Sequence, residues 1–469
     1  MKPKQLLLTG ILSVSTLAAP AGAQTLSNAT FVNGIAIPGS TLDLSVGTAV
    51  DRRVGFFSDI YYDPNRNEWW GLSDRGPGGG TISYETRVQR FTIDIQPTTG
   101  AVSNFQIAET IKFTNGGNAM NGLAPTPANV LGNSFDPEGF VINPANGNLL
   151  VSDEYGPSLY EFDRTGTLVR QFTTPANLLP KVGVNLNYNA LAPNGSSPQL
   201  TSGRESNRGM EGLAISPDGR YAYGILQNGT IQDGYNPTSA TRGVYTRIVK
   251  YDMVTGQAVG QYAYQLDSSA QGRGISSIIA LGNDKFLVLE RNNRGVGIGA
   301  TLNTADKRVY QIDLTVATDV TNTSLPATGS FVGAVTKNPS IAIDLDANTL
   351  LALGNKSPEK WEGLAIGPQL ANGKYFLLAG TDNDYSVTQN GSGTQFDVYL
   401  RFTDADPYAT RVEVPIGTAG PVGYELLPGV LHSYTANITG YVAPVPEPST
   451  ALFGLSILGL SVGRRRRRA

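Results

Sequence analysis

Three stretches of this chain set a glutamate and a glycine ahead of an apolar run: Glu138-Gly139-Phe140, Glu211-Gly212-Leu213 and Glu362-Gly363-Leu364. Downstream of each, a second apolar run ends on a polar residue: Asp153 with Glu154, then Gln227, then Asp382. Two weaker copies end on Asp74 and Glu290. Carboxylates gathered in a confined space raise one another's pKa and lose hydration, so a positive partner must answer them. Hard oxygen ligands in this number point to calcium, with magnesium and manganese as poorer fits. Arg75, Arg208, Arg291, Arg294 and Lys360 lie within a few positions of the repeated acids and offer a second answer. The chain has no cysteine and a single histidine, His432. That composition excludes histidine phosphatases and multi-histidine zinc sites, and a serine triad would depend on His432 alone. No haem or nucleotide is expected.

The elements that must position these acids are strands. Turn dipeptides such as Asn146-Gly147, Asp218-Gly219 and Asn372-Gly373 separate short apolar runs, and no sustained period of 3.6 is present. Ser58, Glu138, Glu211, Ser276 and Glu362 are equivalent points of a repeat. Each motif supplies two strands and each interval has room for two more, which is the plan of a propeller blade. The expectation is an all-β propeller of six blades, each of four antiparallel strands, with five or seven as alternatives. In it the region Ala29 to Val46 joins Val398 to Phe402 and Thr410 to Val414 to close the ring. A residue repeated at one place in every blade is then brought around one axis. Trp69, Trp70 and Trp361 read as core, and Asp382-Asn383-Asp384 resembles a fragment of a calcium loop.

The ends are patterned differently. Lys2 and Lys4, the apolar run Leu6 to Ala19 and the small triplet Ala21-Gly22-Ala23 predict a secretory signal over residues 1–23. The body is then 24–443. Residues 444–469 hold Pro446-Glu447-Pro448, a short apolar span from Ala451 to Val462, and five arginines, Arg464 to Arg468. This resembles the PEP-CTERM sorting tail of exported bacterial proteins and implies a transient membrane anchor handled by a dedicated sorting enzyme. The mature protein is expected at the cell surface or outside the cell. Without Lys2, Lys4, the five tail arginines and Glu447, the formal charge moves from −3 to about −9. Such a body repels nucleic acid and attracts cations.

The runs Leu72-Ser73-Asp74-Arg75-Gly76, Asp136-Pro137-Glu138-Gly139-Phe140, Ser152-Asp153-Glu154-Tyr155-Gly156, Asn207-Arg208-Gly209-Met210-Glu211-Gly212-Leu213, Glu290-Arg291-Asn292 and Lys360-Trp361-Glu362-Gly363-Leu364 together resemble the esterase-like phytase domain family. The resemblance implies a β-propeller hydrolysing small phosphorylated or other ester substrates. Under that reading calcium is held by Asp74, Glu138, Asp153, Glu154, Glu211, Glu362 and Asp382. Arg75, Arg208, Arg291 and Lys360 hold the phosphate, and Glu211 or Glu290 takes the proton from water. Two alternatives share the fold: a non-catalytic surface or matrix propeller stiffened by calcium, and a metal-dependent lactonase or carboxylesterase.

Overall fold

In the computed structural model the described residues are 24–444, apart from 190–197, 235–241, 269, 271, 300, 301, 303, 391 and 392. The expected signal (1–23) and most of the expected tail (445–469) lie outside them. The described body is all-β, with only two single-turn 3₁₀ segments, Leu351–Leu353 and Asp384–Ser386.

Five sheets are built on one plan. The first takes Asp59–Asp63, Glu68–Leu72, Arg87–Ile95 and Val102–Lys112 in chain order. The second takes Pro137–Ile142, Leu149–Asp153, Ser158–Phe162 and Leu168–Gln171, and the third Met210–Ile215, Tyr221–Leu226, Tyr245–Asp252 and Gln257–Gln265. The fourth runs Gly274–Gly282, Lys285–Arg291 and Lys307–Asp313, with two short strands pairing on the last. The fifth joins both ends of the body: Trp361–Gln369 and Tyr375–Thr381 are followed by Gly429–Thr439 and then Thr25–Ile37, in register from Thr25 opposite Thr439 to Ile37 opposite Gly429.

The first strands of these five sheets neighbour one another in a cycle that returns from Trp361–Gln369 to Asp59–Asp63. That cycle makes the body a propeller. A sixth sheet, Val387–Gln389, Gln395–Leu400, Val412–Pro415 and Glu425–Leu426, contributes no strand to it, so the count of six blades is not confirmed. The closing strand also differs from expectation. The N-terminal strand pairs with Gly429–Thr439, while the strand parts of the two expected partners, Val398 to Leu400 and Val412 to Val414, belong to the sixth sheet. Short alternating strands cannot reveal which distant strand they pair with, because many share one pattern.

Apolar clusters lie between neighbouring blades rather than in one central core. Trp70, Leu72 and Phe113 pack on Phe140, Leu149 and Phe162, while Ile225 and Ile248 pack on Phe286 and Val288. Each sheet thereby buries both faces, and with no disulfide these seams carry the stability. Trp70 and Trp361 are fully buried and Trp69 nearly so, as core residues. His432 is buried on the fifth sheet among Phe31, Trp361 and Tyr434, and burial lowers its pKa to about 3.

Candidate active site

The Glu-Gly repeat has a local explanation. Glu138, Glu211 and Glu362 are each the second residue of an innermost strand, so they reach the same end of the axis. The following glycine lets neighbouring innermost strands approach. A Cβ on Gly139 would lie 2.6 Å from Leu213 N, and one on Gly212 would lie 2.9 Å from Ile278 N. The glutamate thus serves the cavity and the glycine serves the ring.

Around that end lies a cavity of about 420 Å³ lined by Asp74, Glu138, Glu154, Glu211, Glu362 and Asp382, with Arg75, Arg208, Arg291 and Lys360 among them. Acids from four different blades, separated by up to three hundred positions of chain, therefore meet in one space. Three of the four cations are already answered. Arg75 Nη1 lies 2.7 Å from Asp136 Oδ2 and 3.8 Å from Glu154 Oε2. Arg291 pairs with Glu362, and Lys360 donates to Asp382 at 2.8 Å and to Asp384. Burial works against the Lys360 ammonium, yet Asp382 and Asp384 hold its pKa well above the ordinary lysine value.

The carboxylates of one half are less well answered. Oxygens of Asp136, Glu138 and Glu154 lie within 4.8 Å of one another. Burial, then Glu211, Asp136 and Glu154, push the Glu138 pKa well above the usual carboxylate range. Glu211 accepts from Gln227 Nε2 at 2.8 Å through Oε1, while its buried Oε2 has no hydrogen-bond partner among the described residues. Burial and the nearby Glu154 and Glu362 raise its pKa strongly. Burial raises Asp74 to about 6, against the pull of Lys360 and Arg75. An unpartnered buried carboxylate oxygen beside three clustered acids is a setting that a hard cation relieves.

Two predicted residues stand elsewhere. Glu290 is fully buried away from the cavity, accepting from Asp267 N and Arg273 through one oxygen and from Tyr264 and Lys337 through the other. Successive side chains of a strand point to opposite faces, so Arg291 reaches the cavity and Glu290 cannot. As a proton acceptor Glu290 is therefore replaced. Asp153 is a strand-end acceptor for the backbone N–H groups of Asp136, Tyr155 and Gly156, at 3.0, 3.1 and 2.8 Å. Its neighbour Glu154 faces the cavity instead.

Asp136 and Glu359 were not singled out from sequence, and Asp384 was read only as part of the calcium-loop fragment Asp382-Asn383-Asp384. Glu359 and Asp384 line the cavity, and burial followed by Asp384 raises Glu359 to about 7. The signal for Asp136 was present in Asp136-Pro137-Glu138, but no repeat flags it. At the far end of the ring, Tyr441 and Pro444 close an apolar space against Asp59, Phe140, Leu213, Ile278 and Leu364. The cavity and the start of the tail therefore lie at opposite ends of the innermost strands.

The family model described as "Esterase-like activity of phytase" matches residues 52–385. The chain belongs to that family. Its matched span holds every lining acid and base named above, and the PEP-CTERM protein-sorting motif matches residues 444–468. This family member is thus an exported protein, anchored at the membrane through its C-terminal segment. It is 26% identical over 417 residues to an uncharacterized secreted protein of Arthroderma benhamiae, covering 71% of this chain and 80% of that one. Among solved structures, hydrazine synthase of Kuenenia stuttgartiensis aligns at 12% identity and TM-score 0.30, covering 79% of this chain and 68% of its own. A streptogramin B lyase structure aligns at 10% and 0.29, covering 87% and 98%. The propeller arrangement rests on the strand cycle itself.

Proposed function

We propose that this phytase-like protein is a calcium-dependent hydrolase of small phosphoesters, with its chemistry in the acid-lined cavity. The observation that carries the reading is Glu211: a buried carboxylate, one oxygen unpartnered, facing a space shared by acids and arginines. Asp136, Glu138 and Glu154 are the residues that would hold calcium, and Glu211 stands beside them without being counted among the ligands. When bound, calcium supplies positive charge to phosphate oxygens and makes a water more acidic. Arg291 and Lys360 keep Glu362 and Asp382 neutralised through their pairs, while Arg75 would share Asp136 and Glu154 with the cation. Arg208 faces the cavity as the cation for the phosphate. Glu211 Oε2 is the acceptor for the proton of the attacking water. Neither a histidine nor a thiol is required, which fits a chain whose one histidine is packed in an apolar seam.

The test is phosphate release by the purified protein from a panel of phosphomonoesters, beside carboxylate esters and lactones, in calcium and in chelator. Release that needs calcium and is lost in Glu211→Gln supports the reading. Turnover of lactones or carboxylate esters alone moves it to the metal-dependent lactonase or carboxylesterase class. Calcium-dependent melting with no turnover on any ester leaves the structural role. Phosphate release unaffected by chelator would sink the calcium proposal.

A further inference from the structure

Four of the five blades place a charged residue at the cavity end of their second strand: Asp74, Glu154, Arg291 and Asp382. The third blade places an amide there, Gln227, directly after Tyr221–Leu226. Its neighbour across the cavity wall is Arg208. Arg208 Nη1 donates to the side-chain oxygens of Gln227 and Asn228, the latter at 3.0 Å. Both acceptors are neutral. The nearest paired carboxylate is Glu205, whose Oε1 lies 3.9 Å from Arg208 Nε. That carboxylate is already held at both oxygens by Arg242, at 2.6 Å each. Among the described residues, Arg208 is therefore the cavity cation without a close carboxylate partner, and its Nε and Nη2 make no hydrogen bond.

We propose that Gln227 and Arg208 form the phosphate-binding subsite of the cavity, in which the neutral amide leaves the guanidinium fork charged and open to two phosphate oxygens. This rests on the phosphoester reading and names the group that selects the substrate. The geometry is fixed before any ligand arrives. Arg208 N donates to Glu205 O at 3.2 Å, and Gln227 N donates to Gly209 O at 3.0 Å. Gly209 lies so close to the Glu154 backbone that a Cβ would come within 2.1 Å of Glu154 O. A guanidinium held at Nη1 by two neutral oxygens keeps its other edge, a planar fork matched to phosphate. Gln227 also donates to Glu211 at 2.8 Å, so one amide orients both the phosphate cation and the carboxylate beside it. An acid in this slot would pair with Arg208, as Asp136, Glu362 and Asp382 pair with the other three cations.

The experiment measures inorganic phosphate binding to the full chain in detergent, by calorimetry at saturating calcium, with calcium affinity measured separately. Gln227→Glu is expected to weaken phosphate at least about tenfold, because the new carboxylate occupies the fork, while calcium binds as tightly or tighter. Gln227→Met, which removes the amide but adds no charge, is expected to stay within a few-fold of the unaltered protein. Arg208→Gln is expected to match the loss in Gln227→Glu. Equal weakening of phosphate and calcium in Gln227→Glu would mean general distortion and overturn the proposal, as would equal losses in Gln227→Glu and Gln227→Met. Absence of phosphate binding by the unaltered protein overturns it too. Phosphate binding that needs Arg208, in a protein that turns over no ester, keeps the subsite and removes the hydrolase; turnover without such binding does the reverse.

Discussion

Replacing Glu211 by glutamine should stabilise this protein without calcium and handicap it with calcium. Glu211 is 3% exposed, its Oε2 lacks a partner, and Glu154 and Glu362 add like charge to the cost of burial. Glutamine keeps the shape and can keep the bond to Gln227, while removing the charge. Relieving one poorly answered buried carboxylate is worth about 1–3 kcal/mol. Unfolding a body of about 420 residues carries an entropy near 0.9 kcal/mol per kelvin, so the gain in chelator is about 1–3 °C in Tm. Calcium at about a hundred times its Kd adds about 2.7 kcal/mol to the unaltered protein. A tenfold weaker site in Glu211→Gln would forgo about 1.4 kcal/mol of that. The difference in melting temperature between the two proteins should therefore shrink or change sign when chelator is exchanged for calcium, read by scanning calorimetry near pH 8. A variant less stable in chelator, shifting with calcium by the same amount as the unaltered protein, refutes the reasoning, because Glu211 would then be neither strained nor near the cation.

Three further outcomes follow from the same geometry. Glu290→Gln takes from Arg273 and Lys337 one of two carboxylates each, the others being Asp306 and Asp267, so it should cost about 1–3 kcal/mol in urea unfolding while the kcat/KM of the folded fraction stays put; a selective loss of turnover would return Glu290 to the chemistry. Gly212→Ala forces a methyl against the backbone of Ser277 and Ile278 at about 3 Å, and should lower stability by about 1–3 kcal/mol, with a normal melting curve counting against the close-approach argument. His432 has a folded pKa near 3 against 6.5 unfolded, so between those values the unfolded chain binds the extra proton and acid destabilises the protein by up to about 1.4 kcal/mol per pH unit. Relative to His432→Gln, the unaltered protein should therefore lose urea resistance between pH 7 and pH 5 and regain it on return; a difference that does not change with pH removes that account, and phosphate release should be unaltered in the variant.

Much of the site could be read from the chain. The Glu-Gly repeat reported both that a strand recurs and that its second residue faces a shared axis, because the same local plan in every blade puts the same position in the same place. Export and anchoring were equally legible, since the sorting motif is a linear pattern whose meaning does not wait on folding. Other parts were not. Glu290 and Asp153 carry the same repeat signal as their neighbours, but a one-residue step along a strand turns a side chain from the cavity to the seam, and only paired strands fix that phase. Asp136 has no counterpart in the other copies and becomes visible through Arg75.

The chain by itself determined that acids and a few arginines would surround one axis of an all-β body, because composition excluded multi-histidine and thiol sites and the repeat pointed to blades around an axis. Tertiary structure alone decided which acids are left without a partner, which cation stays unclaimed, and which terminal strand closes the ring. The reason is physical: ion pairs such as Arg291 with Glu362 and Lys360 with Asp384 join different strands or loops across folded distances, so the electrostatic balance of the cavity exists only after every charge has found its neighbour.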